Sequence, residues 1–267
     1  MAKILYEKNK RIAWIRFNRP EVLNAINAEE VAKLVEYLNQ ANADEDVKVI
    51  ILSSVGKAFC SGDDLGEMVQ EYEDLKSKKR GIVDIIESIT EDLQEVARQI
   101  RHSPKVVIAA VRGYAVGAGC ELALDCDLLV LAEDAKLGFP EPKAGMSITG
   151  GITKLLPQII GLARAKEMFF TGRFINAQEA NEFGMVNRVV SKGEEEKSAE
   201  ELARSIMKLG PLSITAHKRL VHQALDADFE TVLNLEKQTI GVLCTTEDAI
   251  EAANAFVEKR DPVFKGH

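Results

Sequence analysis

No stretch of this 267-residue chain stays apolar and uncharged over the roughly 20 residues that span a bilayer. The opening MAKILYEKNK also lacks the apolar run of a secretion signal. Both absences argue against a membrane partner and for a soluble, cytoplasmic protein. Cysteine is scarce: Cys60, Cys120, Cys126 and Cys244 are neither dense nor spaced as metal ligands, so reduced thiols and no metal site are expected. Basic charge is short as well, with 34 Lys and Arg against 42 Asp and Glu and a net charge of −8. A nucleic-acid partner, which leaves a basic footprint, is therefore not expected. The chain has no repeat of fixed period. Its one GAG run does not extend to the GxGxxG of a dinucleotide site.

What the chain does have is ordinary apolar content, 46%, arranged as short Val- and Ile-rich runs that alternate with helical patterns. That alternation is the mark of an α/β fold with crossover units. RIAWIRFNRP (11–20) alternates inward and outward residues and ends at a Pro turn, whereas 47–55, 105–111 and 127–134 are nearly continuous apolar strands of a covered sheet. Between the first two, Val31, Leu34, Val35, Leu38 and Ala41 make one helical stripe, and Asn27 is placed to cap its start. A second stripe runs through Ile82, Ile85, Ile86, Ile89, Leu93, Val96, Ala97 and Ile100, after the charged EYEDLKSKKR. Beyond the solvated KGEEEK (192–197), helical patterns cover 196–208, 211–225 and 228–258. The reading is a mixed core over 1–195 followed by a helical region over 196–267.

Three segments carry chemistry. In GYAVGAGCELALDCD (113–127) a glycine turn follows a strand and leads into an apolar helix at Cys120, with Glu121 in its first turn. A carboxylate buried there without a partner costs several kcal/mol, so something must stabilise or use it. Amides at such a helix start suit an anion or a developing oxyanion, although a bland tight turn reads the same way. GKAFCSGDDLGEM (56–68) is a second turn after a strand, reversed at Gly62; two such turns supply the two converging N–H groups that a thioester enolate needs. In KLGFPEPKAGMSITGG (136–151), Glu141 stands between two prolines, expected to be extended because it precedes Pro142. By itself that acid also reads as an exposed loop carboxylate.

Together these segments resemble the enoyl-CoA hydratase/isomerase (crotonase) superfamily over nearly the whole chain. NRPEVLNA (18–25), KAFCSGDDL, GYAVGAGCELAL, GFPEPKAG, TGRFINAQEANEFGMVNRVV (171–190) and KRDPVFKG (259–266) arrive in the family's order. The resemblance implies a crotonase-like spiral of ββα units with a C-terminal helical oligomerisation region, assembled as a homotrimer or a dimer of trimers. It implies a lyase of fatty acid β-oxidation type that adds water across the 2,3-double bond of an enoyl-CoA. The N–H groups of Asp63 and Ala118 would form the oxyanion hole. Glu121 would take the water's proton at C3 and Glu141 deliver one at C2, the two titrating as a coupled pair with Glu121 favoured as the charged member.

Coenzyme A, part of the substrate rather than a cofactor, would contact Lys57, the segment Ser61, Gly62, Asp63, Asp64, Leu65 and Gly66, and Gly117 with Ala118. Val22 and Leu23 would line the entrance, and Phe264 and Lys265 would reach CoA from a neighbouring subunit. Ile85, Ile86 or Ile89 would wall the acyl pocket. Departures from the family pattern are Asp63 at a usually small position, Thr149 at a usual glycine, and a connection over 66–94 about a dozen residues longer. They leave open a second crotonase activity, a 2,3-double-bond isomerase or cyclic-dienoyl-CoA hydratase, and a non-catalytic CoA-binding protein.

Overall fold

A strand that is apolar on both faces must be covered on both, and this chain does so with two unequal sheets and two helical layers. The structure is a computed structural model; it describes residues 2–77 and 81–267, and within the helices between 67 and 92 it describes only some side chains. A hairpin of β1 (Ile4–Asn9) and β2 (Ile12–Phe17) leads through α1 (Ala28–Ala43) to β3 (Val49–Ser54). The long connection forms α2 (Leu65–Lys76) and α3 (Ile82–His102) before β4 (Val106–Val111). Then come β5 (Tyr114–Val116), α4 (Ala118–Asp125), β6 (Leu128–Ala132), β7 (Lys136–Gly138), α5 (Ile152–Ile160), α6 (Leu162–Thr171), β8 (Phe174–Asn176), α7 (Ala177–Glu182) and β9 (Arg188–Val190). Four helices close the chain: α8 (Glu195–Ile206), α9 (Pro211–Ala224), α10 (Phe229–Leu243) and α11 (Glu247–Glu258).

The larger sheet has the order β1-β2-β3-β4-β6-β9, parallel except for the β1–β2 hairpin, and the smaller has the order β5-β7-β8. The sequence reading does not anticipate β1, whose edge position leaves ILYEKN largely polar and exposed. Nor does the alternation in β2 separate core from solvent. Ala13, Ile15 and Phe17 enter the main core, while Ile12 and Trp14 enter a second core. The cause is α8, which lays Ala199 and Ala203 over that outer face.

Consecutive units repeat one plan. In β4–β5–α4 and again in β6–β7–α5, the first strand joins the large sheet, the second joins the small one, and a helix follows. The unit before them follows suit, because Cys60, after β3, forms a parallel bridge to Ala115 of β5. Ala115 in turn pairs with Leu137 of β7. RGYAVGAG is thus not one turn: Tyr114–Val116 is a strand, and the helix begins at Ala118 rather than Cys120. Helix α1 starts as expected, with Asn27 and Glu30 forming a reciprocal capping box. The 228–258 pattern is two helices, interrupted where Thr246 caps α11 with its side chain.

Helix α9 is fastened to the core by a buried cation. Lys218 donates to Ile100 O at 2.7 Å, Lys105 O at 3.0 Å and Asp127 Oδ2 at 2.7 Å. Burial lowers its pKa, and Asp127 opposes that shift. Removing one partner of such a pair strands the other charge. Lys218→Ala is expected to destabilise the fold by about 3 kcal/mol, measured from urea unfolding midpoints. A loss under about 1 kcal/mol would show that packing, not this pair, holds α9.

Candidate functional site

The stacked register brings the three segments together. Cys60 N donates to Tyr114 O at 3.0 Å and Val116 N to Cys60 O at 3.0 Å, so the strand β5 lies directly beside the first turn. Gly117 N donates to Gly138 O at 3.0 Å, which sets the start of α4 beside the end of β7. The residues that follow each strand, Gly62–Asp63, Gly117–Ala118 and Pro140–Glu141, therefore emerge side by side.

Glycine is required where they touch. Gly62, at φ +91°, would place a Cβ 2.9 Å from Val116 O; Gly117, at φ +57°, would place one 3.1 Å from Glu141 Oε1. A Cβ on Gly119 would run into the carbonyl of Cys60. The amide of Ala118 opens α4 and has no acceptor within the helix. Around Asp63, Ile26 N donates to Gly62 O and Asp64 N to Ile26 O, at 2.9 and 2.8 Å. Alternation along the backbone then turns the Asp63 N–H away from Ile26. The Cβ position of Gly62 is 3.6 Å from Ala118 N, so the two turns present their amides at close quarters.

Both candidate acids are buried. Glu121 is 2% exposed and accepts from Gly150 N at 2.5 Å and from Thr149 N at 3.2 Å. Thr149 thus contributes its amide, and Gln94 of α3 holds its carbonyl at 3.3 Å. A Cβ at Gly150 would sit 2.8 Å from Glu121 Oε2. These donors favour the carboxylate, as expected of the charged member, but burial outweighs them and, with Glu141 nearby, pushes Glu121 up to about 7. Glu141 is 9% exposed and not extended: it begins a 3-10 turn, Glu141–Ala144, with Pro142 in its first positions. Burial raises its pKa too, and its Oε2 has no hydrogen-bond partner.

A supporting network escaped the sequence reading. Arg19 contacts Glu30 at 3.0 Å and Asp64 at 3.2 Å, so Asp64 is tied to the start of α1. Asn24, held at φ +57°, donates to Val55 O and Ala58 O at 3.0 and 2.8 Å. The signal was the polar pair in NRPEVLNA, but its partners lie far along the chain. Val22 and Leu23 are joined to the first turn: their carbonyls accept from Ser61 Oγ at 3.3 Å and Ser61 N at 3.1 Å. Lys57, Leu65 and Gly66 are exposed. Phe264 and Lys265 are not brought to this site. They line a separate cleft of about 730 Å³ with Pro104, Lys105 and Pro211. The side chains of Ile85, Ile86 and Ile89 lie outside the described residues. Among the described residues, no three His, Cys, Asp or Glu side chains group as metal ligands would, and no helix is long and apolar enough to cross a membrane.

Comparison with known proteins gives the same outline. A family model described as enoyl-CoA hydratase/isomerase matches residues 7–267. A short-chain-enoyl-CoA hydratase of Clostridium acetobutylicum is 33% identical, covering 96% of this chain and 95% of its own. A 2,3-dehydroadipyl-CoA hydratase of Escherichia coli is 32% identical over all of both chains. A crystal structure of an enoyl-CoA hydratase from Bacillus anthracis superposes with a TM-score of 0.91, at 33% identity and 100% coverage of each chain.

The raised pKa of Glu121 has a consequence for stability. A folded value near 7 lies above the ordinary 4.5, so the stability tied to the protonated acid is complete below about pH 4.5 and lost as pH rises through about 7. Glu121→Gln is expected to stabilise the protein at pH 8 by about 2–3 kcal/mol, with little gain at pH 4.5. Thermal melts at the two pH values read the difference. A variant less stable than the native protein at pH 8 would mean that the buried charge is well tolerated.

Proposed function

The chain belongs to the enoyl-CoA hydratase/isomerase family, and from that premise we propose that this site adds water reversibly across the 2,3-double bond of an enoyl-CoA thioester. The observation that carries the reading is the pair of buried carboxyls, both with raised pKa, beside two touching amide turns. The N–H groups of Asp63 and Ala118 hold the thioester oxygen, where negative charge develops when a nucleophile reaches C3. Glu121, oriented by Thr149 and Gly150, takes a proton from water as its oxygen bonds to C3. The double-bond electrons move onto the thioester oxygen as an enolate, and C2 then takes a proton from Glu141. One acid gains the proton the other loses, so the pair keeps its total charge.

A double-bond shift within the acyl chain needs one proton-carrying acid, and the second buried carboxyl favours hydration over isomerisation. No separate cofactor is required. The nucleotide end of CoA lies over Lys57 and the backbone of residues 61–66, near Val22 and Leu23. Phe264 and Lys265 line a cleft apart from their own site, which suits a contribution to CoA bound by an adjacent copy. The late helices support such an assembly: Val221, Leu225, Phe229, Ile240, Phe256 and Val257 are all exposed, Phe256 by 86%. The association region lies within 196–267, and the assembly is a trimer or a dimer of trimers in the cytoplasm.

Loss of the conjugated thioester absorbance, followed over straight-chain, branched and cyclic enoyl-CoAs, tests the activity. Glu121→Gln and Glu141→Gln are each expected to lower turnover at least ~100-fold with CoA-thioester binding retained, since only proton handling is removed. Near-full hydration by Glu141→Gln would sink the two-acid scheme. Sedimentation at micromolar concentration is expected to show a trimer or hexamer; a particle of 29.4 kDa would refute the assembly.

A further inference from the structure

The end of α3 and one flank of α9 enclose a cleft of about 730 Å³ that has no part in the proposed reaction. Arg101 and His102 line it from α3, and Lys218, Arg219 and His222 line it from α9. Basic side chains thus gather in one concavity of a chain whose net charge is −8. The acids beside them are already engaged. Asp226 pairs with Lys154, and Asp127 accepts from Lys218 Nζ and from Val107 N, both at 2.7 Å, with His222 Nε2 at 3.6 Å. Asp125, the acid whose charge acts on Arg101, is held well above the usual carboxylate range by burial. No side-chain hydrogen bond or ion pair joins Arg101 or Arg219 to another described residue.

The fold does not require this grouping. Cations at the end of α3 suit its dipole, but the carbonyl of Ile100 there already accepts from Lys218 Nζ at 2.7 Å and from Ser103 N at 3.3 Å. Arg219 stands before the last turn of α9, where no helix end calls for a charge. The grouping also works against the buried lysine: the charge of Arg101 adds to the burial that lowers the pKa of Lys218. A concave surface of one sign concentrates the opposite ion. Pro104, Ala227 and Leu235 line the same cleft, so its wall is part cationic and part apolar.

We propose that this cleft binds a phosphate monoester of nucleotide size, at a site separate from that of the acyl-CoA thioester. Its volume falls in the range of small-molecule sites. A phosphate monoester brings about two negative charges at pH 7 and three acceptor oxygens, where a carboxylate brings a single charge. Two guanidiniums without partners, one on each helix, match the larger charge. The imidazoles of His102 and His222 and the side-chain amide of Gln223 add donors, and the apolar wall takes the organic part of the ester. On α3, Arg101 lies about two turns beyond Gln94, which holds the Thr149 carbonyl beside Glu121. The cleft is therefore set off from the reacting centre along that helix.

The proposal does not depend on the hydration reading, and the test keeps the two apart. AMP, inorganic phosphate and adenosine are titrated calorimetrically into the native protein, Arg101→Gln, Arg219→Gln and Lys57→Gln, and each protein is assayed with crotonyl-CoA. A single AMP per chain is expected to bind, to be displaced by inorganic phosphate, and to exceed adenosine in affinity by about tenfold or more. Arg101→Gln and Arg219→Gln are each expected to weaken AMP about tenfold and to leave kcat/KM for crotonyl-CoA within about twofold of native. Lys57→Gln is expected to leave AMP binding as in the native protein. Arg219 is exposed, so its variant reads the site even if Arg101→Gln unfolds. The phosphate site is overturned if AMP does not bind at millimolar concentration, if adenosine binds as well as AMP, or if Arg219→Gln leaves AMP affinity unchanged. A loss of AMP binding in Lys57→Gln, or a matching fall of kcat/KM in the arginine variants, would assign the binding to the thioester site and equally overturn it. A protein that binds AMP in the expected pattern yet does not hydrate crotonyl-CoA would refute the hydration reading alone.

Discussion

The structure depends on a parallel register that aligns Cys60, Ala115 and Leu137 across three consecutive units. Each unit crosses from the large sheet to the small one and then reverses direction. Because the crossings are in step, the three reversals occur at one level and their functional residues meet there. Backbone hydrogen bonds hold that alignment, so it survives changes of side chain that would scatter a site assembled from loops. The Arg19, Glu30 and Asp64 network adds a fourth support by tying the first reversal to the capped start of α1.

Electrostatically the site is a compromise. Two carboxyls and their neighbouring acids are crowded into a region from which water is largely removed, and burial raises the proton affinity of each. The amides of Thr149 and Gly150 give back part of the lost solvation, but only to Glu121. Glu141 has an oxygen with no donor at all. This asymmetry distinguishes the pair without any difference in residue type: amide donors orient Glu121, whereas Glu141 Oε2 has none.

Much of this was legible in the sequence, for identifiable reasons. Parallel strands covered on both faces read as apolar runs, so 47–55, 105–111 and 127–134 fall on β3, β4 and β6. Glu121 and Glu141 stand out because a carboxylate among apolar or glycine-rich neighbours violates the usual pattern. Three-residue strands leave no such trace, and β5 and β7 read as turns. β1 was hidden by its exposed, polar edge, and the second face of β2 by a helix that arrives more than 170 residues later. The extended conformation expected at Glu141 weighed Pro142 alone, whereas Pro also fits the first turn of a helix, which is where it stands. The partners of Arg19 and the approach of Gly150 to Glu121 are contacts between distant segments, to which local pattern is blind.

The contact between the first two reversals is made at Gly62, Gly117 and Gly119, against backbone atoms and the Cβ of Cys60. The gap between the amides of residues 63 and 118 is therefore set by atomic radii, not by a side chain that mutation can lengthen or trim. Such a dimension does not drift by small steps; it is kept or it is lost. A lineage built on this arrangement inherits the spacing of these two amides unchanged, and is free to explore by side-chain replacement only away from the glycine contact.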